Sequence, residues 1–123
     1  MVKDISAIAR AAYDCYVTKD RAALEFLIAN NFRFTSPLDN GLNRESYFAI
    51  CWPNSANTEY FDFIHMIEHD DQVFVTYEGR SKTTHFRKTE ILTVRDRKII
   101  EVEVYFGWSV PHEVPAGEHR DPK

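Results

Sequence analysis

Glycine is scarce in this 123-residue chain: there are four, and they form no cluster. A glycine-rich phosphate loop is therefore absent. Cysteine is scarcer still, limited to Cys15 and Cys51. Both fall in stretches that read as helix, without metal-ligand spacing, and each reads as a small buried residue. Basic residues are in deficit, with fifteen Lys+Arg against nineteen Asp+Glu, a net charge of −4 and a pI near 5.7. No Lys/Arg cluster breaks this balance, so nucleic acid is not an expected partner. No apolar run approaches the roughly 20 residues that span a bilayer, and no membrane partner is expected. The opening "MVKDISAIARAAYDCY" carries Asp4 and Arg10 where a signal peptide keeps its apolar stretch unbroken. A soluble, cytoplasmic protein is the expectation. No two histidines have ligand spacing on one face, and no carboxylate joins them in a triad, so no metal and no other cofactor are expected.

What the chain has in quantity is aromatic side chains: nine Phe, six Tyr and two Trp, within a 44% hydrophobic composition. That is a globular composition, and the length suits one domain with one core. Such a supply of rings either fills a core or encloses an apolar pocket.

The first half reads as helices. Asp4 caps a helix with Ile5, Ile8, Ala12 and Tyr16 at helical spacing and Ala9 and Tyr13 beside them. "TKD" breaks it, and Asp20 caps a second helix carrying Leu24, Leu27 and Ile28, which Asn30–Asn31 end. "FRFTSP" is a short strand stopped by Pro37, "LDNG" is turn chemistry, and Asn43 caps "RESYFAIC", which Pro53 forbids from continuing past Trp52. The second half reads as a meander of long strands: "EYFDFIHMIE", "VFVTYEGR", "HFRKTEILTV" and "IIEVEVYFGW". The pattern has no internal repeat and no linker. The expected layout is one domain over 1–108 and a proline-rich tail over 109–123. Helices followed by a meander give an α+β fold with helices covering one face of a curved antiparallel sheet, a cone with a hollow.

In "KTEILTV", strand alternation puts Lys88, Glu90, Leu92 and Val94 on one face. Both faces carry apolar residues, so alternation leaves open whether Glu90 points outward or inward.

"YVTKDRAALEFLIANNFRFTSP" and "FRKTEILTVRDRKIIEVEVYFGW" resemble the nuclear transport factor 2-like superfamily, in its polyketide-cyclase-like (SnoaL-like) branch. The resemblance covers roughly residues 4–108 and implies the cone-shaped, cystatin-like architecture, with Glu90 inside it. It implies a small-molecule ligand and a homodimer through the outer sheet face. It leaves the chemistry open, because the superfamily holds isomerases, cyclases, dehydratases and binding or assembly modules. Against the ketosteroid isomerases, the position of the general-base aspartate is Ser36, and that of the helix-1 tyrosine is Ala12. Tyr16 follows one turn later and Tyr13 is adjacent. The position of the protonated carboxylic acid is Glu90. One chemical group of three is thus kept in type, and the isomerase reaction itself is not implied.

Two readings of Glu90 follow. Desolvated, it is a carboxylic acid that donates to a ligand oxygen, with Tyr16 as a second donor; these two are the catalytic candidates. Paired with Lys88 on the same face, it is an ionised group, unless a bulge separates the two. Asp39, three residues after Ser36, is a candidate base from the cavity mouth. Tyr13, Phe34, Trp52, Tyr60, His65, Phe106 and Trp108, with Asp39 and Lys88, complete the candidate ligand-binding set. His65 and Asp62 are expected on opposite faces of their strand. The function expected is binding of a small apolar carbonyl-like compound with proton-transfer chemistry, or a ligand carrier or dimeric assembly module of the same fold.

Overall fold

The computed structural model describes residues 4–110 and 112–120. Its first helix, α1 (Ile5–Thr18), starts where the Asp4 carboxylate accepts from the Ala7 N–H at 3.0 Å. It ends where Lys19 turns left-handed at φ 62°. Asp20 caps α2 (Arg21–Leu27) by accepting from the Ala23 N–H, and Asn43 caps α3 (Arg44–Ile50) through the Ser46 N–H. These caps satisfy donors that helix geometry leaves without partners. A 3₁₀ turn, Trp52–Asn57, carries Pro53 in its first turn.

Six strands form one sheet: β1 (Ile28–Ser36), β2 (Asp39–Asn43), β3 (Thr58–His69), β4 (Gln72–Ser81), β5 (His85–Arg95) and β6 (Lys98–Trp108), in the order β2-β1-β6-β5-β4-β3. Three features correct the sequence reading. The sheet is antiparallel except where β1 runs parallel to β6. α2 stops at Leu27, so Ile28, Asn30 and Asn31 belong to β1. "LDNG" is only partly a turn: Asp39 already pairs with Ser36, and the chain runs back as β2. The four long strands stand where the alternation put them.

Register shifts between Tyr60 and Thr58, Phe63 and His65, Thr93 and Val94, and around Gly107 bend the sheet. α1 packs on the inner face against β3 and β4, and α3 against β1. Val73, Val75, Leu92, Val94 and Ile99 are buried there with Ile5, Ala9 and Leu24. Phe32 is 0% exposed and anchors β1 in this core. Residues 112–120 hold no helix or strand and are exposed.

Candidate functional site

The inner face encloses a cavity of about 240 Å³. An apolar cavity of about 150 Å³ already holds benzene, so this one has room for a single substituted ring. Its wall is largely aromatic and aliphatic, and most of its polar groups fall in three clusters.

Glu90 centres the first. Val75 and Val104 stand opposite it on the neighbouring strands, which fixes its side chain on the inner face. Tyr13 on α1 donates to Glu90 Oε1 at 3.1 Å, and Tyr77 on β4 donates to Oε2. Burial pushes the Glu90 carboxyl above the ordinary carboxylate range, against the Tyr77 hydrogen bond, the Lys88 charge and the Tyr13 hydrogen bond. Burial, reinforced by the Glu90 charge, pushes both tyrosines well above theirs.

Lys88 is beside this cluster. Its Nζ lies over the Phe106 ring at 4.2 Å and the Phe86 ring at 4.8 Å, contacts worth about 0.5–2 kcal/mol each. Among the described residues no carboxylate comes within ion-pair distance of it. No register shift falls between residues 88 and 90 on β5, so the two share the inner face and interact through space instead of as a contact pair. Burial lowers the Lys88 pKa, and the Glu90 charge opposes the shift.

The second cluster joins Tyr16 on α1 to Tyr47 on α3, hydroxyl to hydroxyl at 2.6 Å. Tyr13 and Tyr16 are three residues apart on α1, and so share one helix face. Burial raises both hydroxyl pKa values in the Tyr16–Tyr47 pair. The third cluster is Ser36 and Asp39, at the β1–β2 turn. Ser36 Oγ donates to Asp39 Oδ2 at 2.7 Å while accepting from the Leu38 N–H at 3.0 Å. Leu38, which lines the cavity yet is 70% exposed, marks the rim. Cys51 lines the wall, and burial pushes its thiol up to about 12, which leaves it unreactive at neutral pH.

Of the residues singled out from sequence, the cavity gathers Tyr13, Tyr16, Phe34, Asp39, Lys88, Glu90 and Phe106. Four lie outside its wall. Trp52 packs behind Tyr16, ring centroids 5.0 Å apart. Tyr60 falls on the outer side, paired with Arg80 after the first register shift in β3. The second shift makes Ile64 the extra residue, so His65 and Asp62 pair with Thr76 and Glu78 on the same, outer face. Their expected separation onto opposite faces is thereby corrected. Trp108 shares no face with Phe106: Lys88 pairs with Phe106 and Arg87 with Trp108, so Gly107 is the bulged residue and flips the tryptophan outward. There it meets the His85 ring.

Tyr77 and Tyr47 were missed. The alternation Val73, Val75, Tyr77, Gly79 in "VFVTYEGR" places Tyr77 on the buried face, and the hairpin register then brings it diagonal to Glu90. Tyr47 follows the Asn43 cap by four residues, on the buried side of α3 with Phe48.

No protein-family profile matches the chain, and no curated protein matches its sequence. Solved structures do match. A nuclear transport factor 2-like protein of unknown function from Cytophaga hutchinsonii superposes with a TM-score of 0.72 at 16% identity, over 86% of this chain and 92% of the other. The chain has the nuclear transport factor 2-like fold. A second protein so described, from Burkholderia xenovorans, gives a TM-score of 0.72 at 17% identity, over 91% of this chain and 88% of its own. A hypothetical protein from Catenulispora acidiphila with the ketosteroid isomerase-like form of the fold, solved in complex with trimethylamine, gives 0.63 at 16% identity, over 80% and 84%.

Within the nuclear transport factor 2-like fold, the inner face of the sheet carries Tyr77, Lys88 and Glu90, and the helices packed on it supply Tyr13, Tyr16 and Tyr47. Among the described residues no group of three or more His, Cys, Asp or Glu is placed to hold a metal ion. No helix among them is long and apolar enough to cross a membrane.

Proposed function

We propose that this chain is a small-molecule-binding protein of the SnoaL-like branch that takes a small, mostly apolar carbonyl compound into its cavity and moves a proton on it. The observation that carries this reading is the Glu90 carboxyl, set in an aromatic cavity and held by hydroxyls from two different elements, Tyr13 and Tyr77. A carboxyl that burial pushes toward its neutral form donates a hydrogen bond to a ligand oxygen when protonated, and the tyrosines fix its orientation while one O–H remains for the ligand. Tyr16 supplies a second donor from the Tyr16–Tyr47 pair. Asp39 fills the gap left by Ser36: the β1–β2 turn brings its carboxylate to the cavity wall beside that serine. A carboxylate there abstracts a proton from the carbon next to the carbonyl.

The test is proton exchange on cyclohexanone and acetophenone in D₂O, followed by NMR. The reading expects exchange above buffer that Glu90→Gln and Asp39→Asn each reduce by about 10²-fold or more. Saturable binding without exchange supports the second reading, a ligand carrier, which the serine at the isomerase base position favours. The same proposal includes a cytoplasmic homodimer formed through the outer sheet face, where Ile67 and Tyr105 are exposed.

A further inference from the structure

We propose that Lys88 is a nucleophile: the cavity joins a small aromatic or alicyclic aldehyde or ketone to Lys88 Nζ as an imine, with Glu90 carrying the proton. This rests on the reading that the cavity admits a carbonyl compound, and it adds a covalent step to it.

Four observations converge on Lys88. Lys88 lines the cavity, whereas the amines of Lys19 and Lys98 are engaged by main-chain carbonyls of Thr58 and Phe26. Two ring faces hold it where a carboxylate would otherwise anchor a lysine. A ring face accepts no directed hydrogen bond, so the amine is free to turn toward a ligand; its attraction for the ammonium opposes loss of the proton, and burial works the other way. Glu90 lies on the same strand face, about 7 Å further along the backbone, with the ligand space beside both. Burial lowers the Lys88 pKa, which enlarges the fraction of free amine, the reactive form of a desolvated lysine.

The step balances without an oxidant or reductant. The Nζ lone pair forms a bond to the carbonyl carbon as the C=O π bond breaks, and a proton passes from nitrogen to oxygen to give the carbinolamine. Neutral Glu90 protonates the hydroxyl; the C–O bond breaks, water leaves, and the nitrogen lone pair completes C=N. The iminium then returns its proton to the Glu90 carboxylate. The net change is amine plus carbonyl to imine plus water.

The test treats the full chain with benzaldehyde and sodium cyanoborohydride, maps the reduced adduct by peptide mass spectrometry, and measures binding of benzyl alcohol, which has the ring without the carbonyl, by NMR. The expected result is labelling concentrated on Lys88 over Lys19, Lys82 and Lys98. Glu90→Gln slows that labelling by about 100-fold, and Lys88→Arg abolishes it. Lys88→Met, checked for native circular dichroism, guards against a misfolded arginine variant. Benzyl alcohol binding with labels spread evenly over surface lysines overturns the imine and leaves the cavity reading standing. Neither binding nor a Lys88 adduct overturns both. Unchanged labelling in Glu90→Gln overturns the role given to that carboxyl.

Discussion

Tyr13 and Glu90, 77 residues apart in sequence, are joined by a hydrogen bond of 3.1 Å. It crosses from the first helix to the penultimate strand, so the candidate site exists only when α1 is docked on the sheet. The Tyr77 hydroxyl closes the arrangement from β4. Folding and chemistry thus share the same residues, and substitutions at the site register in both.

The Glu90 carboxyl makes stability depend on pH. Burial raises its pKa in the fold above the unfolded value, so its contribution is fully present below the unfolded value of about 4.3 and is lost as pH rises through the folded pKa. Glu90→Gln does not titrate. Urea unfolding across that window is expected to show the wild type losing stability relative to Glu90→Gln as pH increases.

The Tyr16–Tyr47 contact is expected to behave as a unit. Removing one hydroxyl leaves the other buried without its partner, at a cost of about 1–3 kcal/mol. The double variant Tyr16→Phe/Tyr47→Phe is expected to cost less than the sum, with a coupling of about 0.5–3 kcal/mol. Additive costs in a denaturation cycle would show that the two hydroxyls find other partners.

Much of the fold was legible because its signals are local. Asp4, Asp20 and Asn43 each announce a helix and each caps it, and period-2 runs such as Val73, Val75 and Tyr77 announce strands. Glu90 was legible as an inward group through the resemblance. What was illegible depends on single extra residues. One bulge at Gly107 turned Trp108 outward, and another at Ile64 put His65 and Asp62 on one face. Alternation counted along a sequence has no mark for a bulge, so every residue beyond it is assigned to the wrong face. β2 was hidden because its five residues, "DNGLN", carry turn chemistry and a single apolar side chain. Its partner β1 supplies the pairing that the sequence does not advertise.

Gly79 is expected to control the cavity wall. It stands opposite Phe86 in the β4–β5 register, and a Cβ added there overlaps the Phe86 ring. Phe86 in turn packs edge-on against Tyr77 and under Lys88. Gly79→Ala is expected to displace the ring, cost about 1–3 kcal/mol and weaken ligand binding. Adding Phe86→Leu is expected to recover part of the stability in the same unfolding assay.

The outer sheet face is expected to mediate the homodimer. Analytical ultracentrifugation is expected to find a dimer that Ile67→Glu with Tyr105→Glu converts to a monomer, since unpaired charges of one sign in an apolar interface oppose association. A dimer that survives both changes would place the interface elsewhere.

The most direct test of the central claim is the pKa of Glu90, read from its side-chain carboxyl carbon by NMR titration with Lys88→Ala as the control. The account predicts a value above the ordinary Glu pKa of about 4.3, rising further when Lys88 is removed because its charge favours the carboxylate. A value at or below 4.3 that rises only in Lys88→Ala would make Glu90 half of a structural ion pair and contradict the claim.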